Sequence, residues 1–114
     1  MPTIEVTDEQ LAEIKKRKII RPEDLKEVKS YEDLVGNQFL FRTVTYHCVG
    51  KVVRFVGRFA VLKDASWIAD TGRFTQAIKD GTLNEVEPVG EMFVNLDTVV
   101  DMFPWRHKLP TEQK

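Results

Sequence analysis

The residues best suited to chemistry are cationic and aromatic, and they interleave along the chain. Arg42, Tyr46, Lys51, Arg54, Arg58, Arg73, Trp105 and Arg106 form this set, with His107 beside it. Guanidinium groups next to flat rings are what single-stranded nucleic acid or a free nucleotide uses: cations for phosphates, rings for stacked bases. Packing competes for the aromatics, and Phe39, Phe41, Phe55, Phe59 and Trp67 are expected in the core. Trp105 reads both ways. It follows Pro104 at a strand end and precedes Arg106-His107, so it is either a lid over the core or an exposed anchor for a partner.

Other groups offer less. His47-Cys48 sets an imidazole next to a thiol, but neighbours on a strand point to opposite faces and cannot act on each other. Cys48, the only cysteine, is expected as a small buried hydrophobe. His47 and His107 have no carboxylate at metal-ligand spacing. Asp70-Thr71-Gly72 presents a carboxylate at a turn. Its plain use is an Asx-type turn, with Asp70 or Thr71 capping a helix that begins at Phe74. Gly50, Gly57 and Gly72 are isolated, so no glycine-rich phosphate loop is present. No cofactor is expected.

The chain has 114 residues, 42% hydrophobic and 31% charged, which fits a single domain of ordinary globular composition. Its formal net charge of -1 argues against a protein that coats nucleic acid wholesale. The distribution is more telling. Residues 1–36 hold nine acids and seven bases, whereas 37–63 hold five bases (Arg42, Lys51, Arg54, Arg58, Lys63) and no acid. Residues 64–103 hold eight acids and two bases, Arg73 and Lys79. Either one surface is positive, or the two blocks neutralise each other across a sheet. No apolar run approaches the ~20 residues of a membrane span. The first residues lack the basic and apolar regions of a signal peptide. A cytoplasmic location is expected.

These groups need elements to hold them. Thr7-Asp8-Glu9-Gln10 has capping-box spacing, with Val6 and Leu11 at the staple positions, and Lys15–Lys18 suits a helix C-terminus. That cationic run is read chiefly as a solvated helix face that covers one end of the fold. A second short helix is expected from Pro22 and a third from Ser30, ended by Gly36. From Phe39 to Tyr46 the pattern alternates as a strand does, and Gly50 marks a bend or bulge. Lys51–Val56 and Phe59–Leu62 are two strands joined through Gly57-Arg58 in a type II′ turn. Phe74 to Asp80 is a short helix with Gly81 just past its end. Met92–Asn95 and Thr98–Phe103 are the last strands, stopped by Pro104, and a polar tail follows.

The stretch Val49-Gly50-Lys51-Val52-Val53-Arg54-Phe55, followed by Val61-Leu62-Lys63-Asp64-Ala65, is similar to the first motif of the Sm family. Phe93-Val94-Asn95-Leu96-Asp97-Thr98-Val99-Val100 sits where the second motif would lie. The resemblance spans residues 39–103 and implies a small Sm-like or SH3-like barrel that assembles by strand pairing between subunits. The family's RNA-binding Asp and Asn have no counterpart in the first hairpin, and its Arg-Gly is replaced by Asn95-Leu96. Its uridine pocket is therefore not carried over. Asp70-Thr71-Gly72 resembles the triplet of retroviral-type aspartic proteases, but Arg73 stands where that family has a small residue. The strings Arg42–His47, Trp67–Phe74 and Asn84–Pro88 are similar to stretches of small bacteriophage and bacterial proteins, which implies a phage-type accessory protein.

The sequence thus predicts an α+β domain over 1–114. Short N-terminal helices (1–36) precede a small antiparallel Sm-like or SH3-like β-barrel with one inserted helix (37–103), then a tail (104–114). The expected function is non-enzymatic: a homo-oligomer that binds nucleic acid or a small nucleotide through a basic, aromatic-bearing face. Arg42, Tyr46, Lys51, Arg54, Arg58, Arg73, Trp105 and Arg106 are the candidate binding residues. The alternatives are a virion or assembly protein acting through protein contacts and, third, a hydrolase using Asp70. No membrane partner is expected. If the chain is phage-encoded, the location is the host cytoplasm.

Overall fold

A computed structural model describes residues 20–114. The helix expected from Thr7, and the Lys15–Lys18 run, lie outside the described residues. The next two expected helices are short 3₁₀ segments, two turns at Pro22–Glu27 and one at Tyr31–Leu34. Each is held by an acid that accepts from backbone N–H groups before it: Asp24 from Arg21, and Asp33 from Lys29 and Ser30. Those two N–H bonds hold the Asp33 carboxyl below its usual range. Neither segment contains a buried residue. With so thin an apolar stripe there is little packing to propagate a longer helix.

Five strands follow: β1 (Gln38–Thr43), β2 (His47–Val56), β3 (Phe59–Asp70), β4 (Glu85–Asn95) and β5 (Val99–Pro104). One helix, α1 (Phe74–Asp80), lies between β3 and β4. All neighbouring strands are antiparallel, in the order β4-β3-β2-β1-β5. The expected barrel is thus a sheet with β4 and β5 as its two edges, unpaired with each other.

The alternating run at 39–46 is not one strand. It breaks after Thr43, whose hydroxyl donates to the Tyr46 carbonyl (2.8 Å) and accepts from the Tyr46 N–H (3.0 Å). The threonine closes a tight turn with no glycine, proline, asparagine or aspartate in it. Gly50 does mark an irregularity, since the β2–β3 register shifts between Val49 and Lys51. A Cβ there would lie 3.1 Å from the Ala65 Cβ. Gly57 has φ 56°, and among the described residues only Asp64 has positive φ outside glycine, so Gly57-Arg58 forms the expected type II′ turn. Asp64 (φ 49°) is itself a bulge, and β3 runs on through it to Asp70.

The sheet has a core on each face. The inner face presents Phe39, Phe41, Cys48, Val52, Leu62 and Val94 to Ile20, Val28, Leu34 and Val35 of the N-terminal segment. Burial pushes the Cys48 thiol up to about 12, as suits the inert hydrophobe expected there. The outer face presents Leu40, Val49, Ile68 and Val86 to Ala77 of α1, Leu83, Trp105 and Leu109. Gly81 (φ 78°) ends α1 as expected. The tail is structural, not a loose polar end. The Trp105 N–H donates to the Gln38 carbonyl (2.8 Å), His107 Nε2 lies 2.7 Å from the Ile78 carbonyl, and Lys114 exchanges two backbone bonds with Val86.

Candidate nucleic-acid interface

The basic block and the acidic block do pair across the sheet, but only in part. Arg42 Nε donates to Asp101 Oδ1 (2.7 Å), and a second guanidinium nitrogen contacts Asp101 Oδ2. The same guanidinium lies over the Phe74 ring (4.9 Å) and near Phe103 (5.6 Å). Arg58 Nε donates to the Asp97 carboxylate at 2.8 Å. Each arginine holds its aspartate below the usual carboxylate range by donating to the ionised form. Arg42 and Arg58 are therefore committed within the chain.

Two expected aromatics are also removed from an exposed face. Trp105 is 2% exposed and fills the outer core under the tail, so it is the lid and not the anchor. Tyr46 packs against the inner core, where burial raises its hydroxyl above the usual range. Arg73 is exposed at the start of α1, whose cap receives no side-chain hydrogen bond, contrary to the cap expected from Asp70 or Thr71. Asp70 Oδ1 accepts from the Gly72 N–H (2.8 Å), closing the Asx-type turn.

Of the five bases in the acid-free block, Lys51, Arg54 and Lys63 remain. Among the described residues none of the three is in an ion pair. Lys51 sits directly opposite Lys63 in the β2–β3 ladder, and Arg54 opposite Val61. Directly opposed residues share a face. Lys51 also opposes Gln38, whose amide reaches the Trp105 and His107 carbonyls on the outer side. Val61 lies between Ala60 and Leu62 of the inner core, which turns it, and with it Arg54, outward. Two like charges face to face cost free energy in the isolated sheet. Asp64, next to Lys63 in the chain, and Glu91, on β4 beside the Met92 that opposes Leu62, do not form ion pairs with them.

The aromatics beside these cations come from residues the sequence assigned elsewhere. Phe59, expected in the core, is 40% exposed, and Phe93, which opposes Val61, is 54% exposed. Their rings meet edge to face at 6.3 Å. Trp67, also expected in the core, is 39% exposed, but it opposes Cys48 and so lies on the inner face, away from these cations. Phe39 and Phe41 are buried, and Phe55 packs against the inner core, as expected. Lys63 was visible as a member of the acid-free block. Phe59 and Phe93 had no such signal, because which end of the outer face stays uncovered is decided by α1 and the tail.

Around the start of β1, between Ile20 and the tail, a cavity of about 200 Å³ opens beside Lys51 and Arg106. Arg106 Nε donates to the Ile20 carbonyl (3.1 Å), which fixes the guanidinium at the cavity wall.

No protein-family model and no curated protein matches the chain. Among solved structures, the P. aerophilum SmAP1 heptamer is 24% identical over 64% of this chain and 84% of that one, with a TM-score of 0.47. A heptameric archaeal Sm protein is 24% identical over 64% and 91%, with a TM-score of 0.46. A Pyrococcus abyssii Sm protein in complex with a uridine heptamer is 18% identical over 75% and 99%, with a TM-score of 0.46.

Proposed function

We propose that this chain is a non-enzymatic, homo-oligomeric module that binds single-stranded nucleic acid on the uncovered half of the outer sheet face. The observation that carries the reading is Lys51 directly opposite Lys63, neither in an ion pair, with Arg54 next to them. A phosphate backbone would relieve that repulsion, and Phe59 and Phe93 offer exposed rings for bases.

Self-association is the second part of the proposal. The start of β4 is closed to a new strand. Val86 already bonds Lys114 through both backbone groups, Pro88 has no N–H to offer on that side, and Gly90 (φ 82°) breaks the line. Among the described residues, the stretch 91–95 of β4 and the outer edge of β5 have no strand partner, and near the latter Val100 is 65% exposed and Val44 of the neighbouring turn 73%. Pairing these edges between copies would bury them. The same exposed valines favour a second reading, an assembly protein acting through protein contacts alone. A phage-type accessory role in a host cytoplasm belongs to the proposal on the strength of the sequence strings alone.

Anisotropy titrations with a labelled single-stranded oligonucleotide at several salt concentrations test the binding. The wild-type chain is expected to bind with a strong salt dependence. Replacing Lys51, Arg54 and Lys63 together with glutamine should flatten the log–log slope by about two to three units. An unchanged slope in the folded triple variant, or no binding by the wild type, overturns the reading. Native mass spectrometry of the same samples reports subunit number, and a bare oligomer without nucleic acid shifts the case to the assembly reading.

A further inference from the structure

We propose that the cavity beside Lys51 and Arg106 is a receptor for a terminal phosphate, a phosphate monoester carried by a nucleotide or by the end of a nucleic-acid strand. The idea deepens the nucleic-acid reading by naming what one part of the surface recognises.

The first argument is charge. The cavity wall contains two cations, Lys51 and Arg106, and no acid. Arg106 spends only its Nε on the Ile20 carbonyl, so its terminal nitrogens have no hydrogen-bond partner among the described residues. The second argument is a spare donor. Asn37 is 5% exposed, and its Oδ1 accepts from the Ile20 N–H (2.9 Å). That bond fixes the amide's orientation and leaves the NH2 group of this cavity-lining residue with no partner among the described residues. A guanidinium, an ammonium and an amide NH2 around one space are donors without an acceptor. A phosphate oxyanion supplies acceptors to all three.

The third argument is shape. The cavity holds about 200 Å³, roughly the share of six liquid waters, enough for a phosphate and part of its ester group. Its wall is braced by the bonds that join the β1 start to the tail: the Trp105 N–H to the Gln38 carbonyl (2.8 Å), and the Gln38 amide to the Trp105 carbonyl (3.1 Å). A monoester carries more charge than a diester, which favours it beside two cations. Lys51 sits both at this cavity and in the Lys51–Lys63 pair. A strand anchored here by its end would run outward over Lys63 and Arg54 towards the exposed phenylalanines.

The test compares oligonucleotides of one sequence with a phosphate at the 5′ end, at the 3′ end, or at neither, alongside inorganic phosphate and a nucleoside monophosphate followed by calorimetry. One phosphorylated end is expected to bind roughly tenfold tighter than the hydroxyl form, the worth of about one charge-assisted hydrogen bond. Arg106→Gln should erase that advantage and leave hydroxyl-ended binding intact, whereas Arg106→Lys should keep part of it. Lys51→Gln should weaken both, and thermal melts verify that each variant is folded. Competition by the monophosphate assigns the site to free nucleotide as well as to strand ends; its absence assigns it to strand ends. Equal binding of phosphorylated and hydroxyl ends overturns the proposal while leaving the sheet-face reading in place. If no oligonucleotide binds but inorganic phosphate does, and Arg106→Gln abolishes it, the sheet-face reading falls and the phosphate site stands. If nothing phosphorylated binds, or the advantage survives Arg106→Gln, the site is not what we propose.

Discussion

The outer face of the sheet is one surface with two ends, and they differ in everything but their strands. At one end Leu40, Val49, Ile68 and Val86 are sealed beneath α1 and the C-terminal tail. At the other, the same strands present Lys51, Lys63, Arg54, Phe59 and Phe93 to solvent. The strands run from one end to the other across the irregularities at Gly50 and Asp64, so the same strands are covered at one end and bare at the other. Where a helix and a folded-back tail supply apolar partners, the face is aliphatic and tight. Where cover ends, the face keeps cations and rings that have no structural duty. Residues without a structural duty on a rigid sheet are the ones available to a ligand.

The sharpest test of that contrast pairs one large residue from each end. Trp105→Ala removes a buried ring from the covered end and should cost about 3–5 kcal/mol of folding stability in denaturant titrations. Phe93→Ala removes a ring that is 54% exposed and should cost under about 1 kcal/mol of stability. Its effect should appear instead as a loss of about 1–3 kcal/mol in oligonucleotide affinity. If Phe93→Ala unfolds the protein or leaves affinity intact, the division of the face into structure and ligand surface is wrong.

A subtler variant should move stability and binding in opposite directions. Lys63 opposes Lys51 across the ladder without a counter-ion, so Lys63→Gln removes a like-charge contact. The free protein should gain about 0.2–1 kcal/mol, and more at low salt than at high. Oligonucleotide binding should weaken in the same variant, with a salt slope lower by about one unit. A site kept for function at the expense of stability shows this trade-off. A variant that gains stability without losing affinity places the ligand elsewhere.

How much of this was legible depended on whether the cause was local. The β2–β3 turn was readable because Gly57 supplies a positive φ where a type II′ turn needs one. The end of α1 was readable from Gly81 for the same reason. The β1–β2 turn was not, because Thr43 closes it with its own hydroxyl and the alternation runs straight through. β3 looked four residues long, since the Asp64 bulge shifts the alternation by one and hides the strand beyond it. The candidate site was legible only in part. The acid-free block contains the three cations that the structure leaves without an ion pair, Lys51, Arg54 and Lys63, but nothing local told that Arg42 and Arg58 would be neutralised by aspartates far along the chain. Trp105 took the lid alternative and Phe59 left the core expected for it, and the sequence could not decide either because both fates depend on what covers the sheet.

The smallest expected effect concerns those neutralised arginines, and it separates them from the unpaired cations. Asp101 and Asp97 are held below their usual range by Arg42 and Arg58, so in both cases the folded state binds the proton less readily than the unfolded chain. Their contribution is fully present above the unfolded carboxylate value of about 3.9 and fades as pH falls through the lower folded value. The arginines are raised from an already high value, so their side of the linkage lies far above neutrality. Stability from these pairs should thus be flat between about pH 5 and 8 and fall only in acid. The two pairs should differ in size. Arg58 and Asp97 are 76% and 50% exposed at a hairpin tip, and salt should screen most of their attraction. Arg42 and Asp101 are 38% and 34% exposed, and two phenylalanine rings hold the guanidinium in place. Arg42→Gln should therefore remove more of the acid-dependent loss than Arg58→Gln, with both acting below about pH 4. Neither variant should change the salt slope of oligonucleotide binding, because a cation already neutralised by a carboxylate releases no counter-ion from the nucleic acid. A slope that drops in Arg58→Gln would move the binding surface to the β2–β3 hairpin tip and away from the sheet face.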